Sequence, residues 1–178
     1  MRAHSLALAL APALAPALAS TLLFSLMAGF FFAFAAVVMP GLDRMPPADA
    51  ALAMQAINAG VANPVFALGF WGAALIAAIS LPVAVIGRRP GWPWLCAAAA
   101  SYLVGVLMVT ATGNVPLNQE LAAIAQPEAL QRAWPEYLAD WGWLNALRTI
   151  AALVSAGLAL CALIVAMQGQ RRHGAGAA

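Results

Sequence analysis

The chain has 178 residues, 65% of them hydrophobic and 8% charged, with six acids and a formal net charge of +2. A soluble domain carries about 25% charged residues, so the composition excludes an ordinary soluble enzyme and points to one integral membrane domain over residues 1–178. The basic residues are eight arginines with no lysine, too few and too scattered for a nucleic-acid surface.

The chain opens on Arg2 and a Leu/Ala/Pro run through Ala19. This run resembles a signal peptide cleaved after Ala17-Leu18-Ala19. Cleavage would turn the later arginine pairs outward, against the charge rule, so residues 6–19 are read as an extension of the first helix, bent near Pro12 and Pro16.

A membrane helix needs about 20 apolar residues, and four stretches qualify. The first span covers 20–39 and ends at Pro40-Gly41. The connection 40–64 carries "PPADALAMQAINAG" (46–60), which reads as a short helix with proline at its start and Asp49 in its first turn. The second span, 65–87, follows Asn63-Pro64, contains Pro82 and stops at Arg88-Arg89. A third span covers 93–113. Asn114 and Asn118 follow it, four residues apart and flanking Pro116, where the backbone lacks an amide donor. The connection 114–143 holds a second helix (127–141), interrupted at Pro135, and the fourth span covers 144–167. The expected fold is therefore all-α: an integral membrane four-helix bundle with short outer-face helices in its two long loops.

Arg2, Arg88-Arg89 and Arg171-Arg172 fall on one side of this scheme, and Arg44, Arg132 and all six acids on the other. The positive-inside rule puts both termini in the cytoplasm and the long loops outside, as in a multi-pass protein of a bacterial-type inner membrane. Trp92, Trp94, Trp134, Trp141 and Trp143 lie near span ends, where an aromatic belt belongs.

Cys96 and Cys161 lie in apolar runs and read as small buried hydrophobes. His4 and His173 lie near the two ends, which argues against a haem or metal held in the bundle by histidine. No cofactor motif is present.

Polar residues gather at the outer ends of the spans: Asn58 and Asn63 before the second, Asn114 and Asn118 after the third, and Trp141, Asn145 and Arg148 at the start of the fourth. The last three stand at i, i+4 and i+7 and share one helix stripe. Three readings of Arg148 stand at this point: snorkelling to headgroups, a clamp to Asp140, Glu136 or Glu120, or contact with a ligand. Arginine at the centre of a span costs about 2.5–3.5 kcal/mol on insertion scales, less near an end. The asparagines could bridge helices at about 0.6 kcal/mol each. The phenylalanine run Phe24, Phe30, Phe31, Phe32, Phe34 reads as packing and lipid contact. Asp140 reads as a solvated charge or as a general base.

"GFFFAFAAVVMPGL", the "NP" opening the second span, "NVPLN" closing the third and W-x-x-x-N-x-x-R opening the fourth resemble, in this order, the DUF1772 family over residues 29–166. These are small four-span proteins that include the anthrone oxygenases. The resemblance implies oxidation of an anthrone to an anthraquinone by O₂ with no metal or flavin, so no cofactor is expected. It carries Arg148, Asn145, Asn118 and Asn114 as reaction-site residues, with Asp140 or Glu120 as proton acceptor. Trp141, Trp143 and Asn63 would line the substrate site, and Pro40 and Gly41 would shape the first turn. Expected partners are membrane lipids, a hydrophobic aromatic small molecule and O₂, with the oligomeric state open. The alternative is a non-enzymatic subunit that binds a lipid, a quinone-like molecule or a partner protein.

Overall fold

The computed structural model describes residues 2–88 and 90–175, and side chains over 14–88 and 90–169. Arg89 and the side chains of Arg2, His4, Arg171, Arg172 and His173 lie outside the described residues.

Among the described residues every element is helical. Helix α1 spans Arg2–Ala33, passes through a π-helical turn at Phe34–Val38 and ends in α2, Met39–Leu42. Next come α3, Pro47–Val61, and α4, Pro64–Gly87. Helix α5, Trp92–Tyr102, widens into two π-helical segments, Leu103–Met108 and Thr110–Asn114, before α6, Val115–Ala122. The last helix, α7, spans Pro127–Ala175. Four stretches are long and apolar enough to cross a membrane: Leu14–Leu42, Pro64–Gly87, Trp92–Ala122 and Pro127–Gly169. The protein is a four-helix, multi-pass membrane bundle.

Helix α1 packs against α7 and α4, and α5 packs against α4 and α7, so the spans form a ring in the order α1, α4, α5, α7. The chain passes up and down through the bundle, with α3 lying across the end where α1 finishes and α7 begins. Alanines make this packing close. Ala73, Ala77, Ala98, Ala99, Ala152 and Ala159 are buried at helix contacts, while Phe24, Met27 and Phe31 of α1 fill the centre. Within a bilayer small residues serve association because they let backbones approach, since lipid already satisfies apolar surface. Gly105 is the tightest such position: a β-carbon there would collide with the Ala151 side chain. Large apolar side chains such as Leu22, Leu68, Leu75 and Ile150 point outward, as lipid-facing residues do.

The RRPG turn needs left-handed backbone at Arg88 (φ 41°) and Gly91 (φ 90°). Gly91 also lies so close to the Ala162 carbonyl that a β-carbon would stand 2.5 Å from its oxygen.

One of the expected helices is corrected. The segment 127–141 is no separate helix. It is the first part of α7, which runs unbroken through Pro135. Gln131 and Pro135 are both exposed, so the carbonyl that loses its proline partner can be met by water. At 1.5 Å per residue the 49-residue helix is roughly 73 Å long, against a hydrocarbon core of about 30 Å, so it extends well beyond the membrane. Residues 6–19 are part of α1, which continues as helix through Pro12 and Pro16. The projecting parts build a cap whose core joins Met54 of α3, Leu121 of α6 and Leu130, Trp134, Tyr137 and Trp141 of α7. Trp134 and Trp141 are thus buried in the cap and are not belt residues, whereas Trp71, Trp94 and Trp143 are exposed. Cys96 is half-buried and Cys161 faces outward.

Candidate functional site

Beneath the cap, α7 turns Trp141, Asn145 and Arg148 inward, and all three are buried. Asn145 is the joint between α7 and α1. Its Nδ2 donates to the Phe31 carbonyl at 3.0 Å, and its Oδ1 accepts from Arg148 Nη2 at 3.0 Å. The Phe31 carbonyl lies in the last turn of α1, just ahead of the π-helical turn at Phe34–Val38.

Arg148 is only 6% exposed. Its Nη1 reaches Thr110 Oγ1 at 3.5 Å, and its Cζ lies 4.6 Å from the Phe31 ring centroid and 5.1 Å from that of Trp141. Two aromatic faces stabilise a desolvated guanidinium by about 2 kcal/mol or more. None of its partners is a carboxylate. Asp140, Glu120 and Glu136 are exposed and border a different hollow, on another face of α7. Arg148 therefore neither snorkels to the headgroups nor pairs with Asp140, Glu136 or Glu120; it is a buried cation held by neutral and aromatic groups.

That cation lines a cavity of about 320 Å³ between the helix ends and the cap. Phe30, Phe34, Phe66, Phe70 and Trp71 supply apolar walls. Thr110, Asn114 and Asn118 supply polar ones, spaced four apart along the widened third span. Asn114 Nδ2 makes a long 3.4 Å contact to the Trp141 carbonyl, and Tyr137 donates to Asn118 Oδ1 at 2.8 Å while accepting from Asn58 at 3.4 Å. Three buried polar atoms on cavity residues have no protein partner: Arg148 Nε, Trp141 Nε1 and Asn114 Oδ1. Most buried polar atoms are paired. Two orphan donors and one orphan acceptor thus belong to residues that border this one cavity.

Of the residues expected at the site, Arg148, Trp141, Asn114 and Asn118 line this cavity, and Asn145 stands behind it, fixing Arg148. The others lie apart. Asp140 precedes Trp141 by one residue, about 100° around the helix, and faces outward with Glu120 at the neighbouring hollow. Trp143 is two residues past Trp141, on the opposite face, and 64% exposed. Pro40 and Gly41 are exposed in α2 and do not border the cavity. Asn63 caps α4, accepting from the Phe66 amide at 3.0 Å and donating to the Gly60 carbonyl at 2.7 Å, which uses both ends of its amide.

The sequence reading did not include Thr110, although its spacing of four from Asn114 pointed to it. It also took Phe30, Phe31 and Phe34 as packing, whereas Phe30 and Phe34 are cavity wall and Phe31 is the platform under Arg148. Asn58 belongs to the polar group read at the outer span ends, whereas Phe66, Phe70 and Trp71 carry no sequence signal that separates them from ordinary packing residues.

The sequence model of the anthrone oxygenase family matches residues 54–158. The chain belongs to this family, also known as DUF1772. The matched stretch of this anthrone oxygenase family member begins in α3 and includes Asn58, Thr110, Asn114, Asn118, Trp141, Asn145 and Arg148, but not the "GFFFAFAAVVMPGL" segment. No curated protein and no solved structure matches the chain.

Proposed function

We propose that the chain is an oxygenase that oxidises an anthrone-like aromatic substrate with O₂ in the Arg148 cavity. The observation that carries this reading is the buried, carboxylate-free guanidinium beside an unpaired indole N–H, both on a cavity walled by aromatic rings. An anthrone has a CH₂ between two aryl rings, and loss of its proton gives an electron-rich enolate. Arg148 Nε–H and Trp141 Nε1–H would bind the enolate oxygen, as fixed donors in a water-poor site do for a developing oxyanion. Asn114 Oδ1 would accept from a ring hydroxyl, and the phenylalanines would hold the flat ring system.

The reaction balances without a third component. The CH₂ carbon gives its proton to water at the cavity mouth, since Asp140 and Glu120 lie elsewhere. The enolate passes one electron to O₂, and the resulting radical and superoxide combine, with uptake of a proton, to a hydroperoxide on that carbon. Loss of water from the hydroperoxide leaves the ketone. One O₂ is consumed, one water is released and one oxygen atom enters the product.

The reading includes a setting. The arginine asymmetry between the two ends supports a bacterial-type plasma membrane with both termini cytoplasmic and the cavity on the outer side. O₂ and an aromatic molecule partitioned in lipid are the partners.

The test is oxygen uptake by the purified protein in lipid with a simple anthrone, set against protein-free air oxidation, with ¹⁸O₂ to follow the atom. Wild type should consume one O₂ per anthrone and place one labelled oxygen in the quinone, and Arg148→Ala at matched folded amount should fall to background. Tight binding of the quinone without uptake would replace the oxygenase by the binding role, which the lack of a carboxylate or histidine among the cavity's lining residues favours.

A further inference from the structure

Beside the Arg148 cavity, between α1 and α4, lies a second hollow of about 470 Å³. Its character differs. Apart from Asn63, whose amide is spent on capping α4, its lining side chains are apolar, among them Leu26, Met27, Ile57 and Val65. Phe30, Phe34, Val61 and Phe66 line both hollows and so form their common wall. Three of them belong to one aromatic string: Phe66 to Phe30 at 4.9 Å between centroids, Phe30 to Phe34 at 5.0 Å, and Phe34 to Trp141 at 5.5 Å. The string thus runs from the apolar hollow to the indole beside Arg148.

The outer rim of this hollow includes Leu26, 59% exposed, and Val65, 84% exposed, both on membrane spans. The second hollow therefore opens sideways into the lipid near the cap end. On its floor, Gly69 has no side chain, and a β-carbon there would make only ordinary contacts, 3.6 Å to Leu26 Cδ2 and 3.9 Å to Met27 Sδ.

We propose that the two hollows are two subsites for one amphiphilic ligand. The oxygen-bearing aromatic ring sits in the inner cavity, and an apolar substituent of the same molecule runs past the Phe30 wall into the hollow between α1 and α4. The substrate class is thereby narrowed from any anthrone-like ring to one carrying an apolar chain or further apolar ring on the side away from its bound oxygen. This assignment rests on the proposed ring site at Arg148.

The physical case is the segregation of polarity. Three of the four buried unpartnered polar atoms among the described residues, on Arg148, Trp141 and Asn114, belong to residues that line the inner hollow, the fourth (Tyr102 Oη) belongs to neither, and the outer hollow offers nothing to a polar group and nothing that a chain would not also find in lipid. Because lipid is as apolar as the hollow, the chain gains no hydrophobic stabilisation on moving there from the bilayer. The outer subsite acts by permission: it is space that lets a tailed ligand bind as well as a bare one.

The experiment compares two unreactive probes, anthraquinone and 2-decylanthraquinone, binding to the full protein in lipid nanodiscs. Tryptophan quenching is the readout, and concentration is expressed as mole fraction in the bilayer so that partitioning cancels. Wild type should bind both within about threefold. Gly69→Phe fills the hollow and should weaken the decyl probe tenfold or more while leaving anthraquinone within twofold. Val65→Trp, at an exposed position that cannot disturb packing, should act in the same direction. Retained anthraquinone binding certifies that each variant is folded. Equal binding of the decyl probe by wild type and both variants would overturn the two-subsite assignment, as would its exclusion from wild type or equal loss of both probes in Gly69→Phe. Failure of wild type to bind either probe would overturn the ring site itself and this assignment with it.

Discussion

The two ends of the bundle each enclose a hollow of similar size, and only one has the makings of a reaction site. At the RRPG end a space of about 360 Å³ lies among Pro16, Pro82, Pro90, Gly91 and Trp92. It is slightly larger than the 320 Å³ cavity beneath the cap. Among the described residues its lining carries no charged side chain and none of the buried unpartnered polar atoms. Beneath the cap, by contrast, the Nε of Arg148 and the indole N–H of Trp141 are held away from water with no protein partner. Leaving such groups unpaired costs about 1–3 kcal/mol each, more for a charge. The difference teaches that volume does not mark a site here and unspent polar groups do.

The sharpest way to break this comparison is to remove the cation while keeping its bulk. Arg148→Met should lower turnover by about 10²–10³-fold, the usual cost of one oxyanion donor. It should change the melting temperature by only a few degrees, because relief of a buried charge that has no carboxylate partner offsets the lost contacts to Asn145, Phe31 and Trp141. Activity and thermal unfolding in detergent check both halves. A large fall in melting temperature would return Arg148 to a structural role.

Asn145 makes the opposite case one turn away. Asn145→Leu leaves the Phe31 carbonyl and one Arg148 nitrogen without their partner, so a loss of about 1–3 kcal/mol of stability is expected, with activity falling because Arg148 is no longer fixed. Thermal unfolding should show the change even without substrate. Together the two substitutions separate the group that acts from the group that holds it.

How much of this was legible before the structure depends on which force set each feature. Hydropathy is a bulk property of 20-residue windows, so the four spans could be read directly. The stripe Trp141, Asn145, Arg148 was equally legible, because helical periodicity alone puts three such residues on one face. Asp140 and Trp143 were drawn in by nearness along the chain, and the same periodicity, applied strictly, turns both away. The aromatic wall was not legible. A phenylalanine facing lipid and one facing a ligand have the same chemistry, and only packing tells Phe32, which is exposed, from Phe30 and Phe34, which line the cavity. The π-helical turns that follow Phe31 and widen the third span at Thr110 have no compositional signature at all. Pro135 misled for a physical reason: it breaks helices in apolar surroundings but sits here where water can serve the freed carbonyl.

A smaller effect sharpens the electrostatic side of the contrast. Trp141→Phe removes the unpartnered indole N–H and keeps an aromatic face over Arg148. About a tenfold loss of turnover with anthrone is expected, since a neutral donor contributes less than a charged one. Stability should change little, because that N–H bonds to nothing in the protein.

The weakest expected effects fall on the residues that proximity favoured and geometry did not. Asp140→Asn should leave turnover within about twofold, as an exposed carboxylate on another face of α7 has no path to the ring carbon. At the far end, Val83→Phe pushes a ring into the larger but apolar hollow from a position already 45% exposed. It should change neither oxygen uptake nor quinone affinity beyond twofold, because none of the described lining residues there is charged or carries a buried unpartnered polar atom. Were Val83→Phe to abolish uptake while Arg148→Met spared it, the reaction would belong to the RRPG end, and the unpaired polar groups beneath the cap would be a feature of assembly.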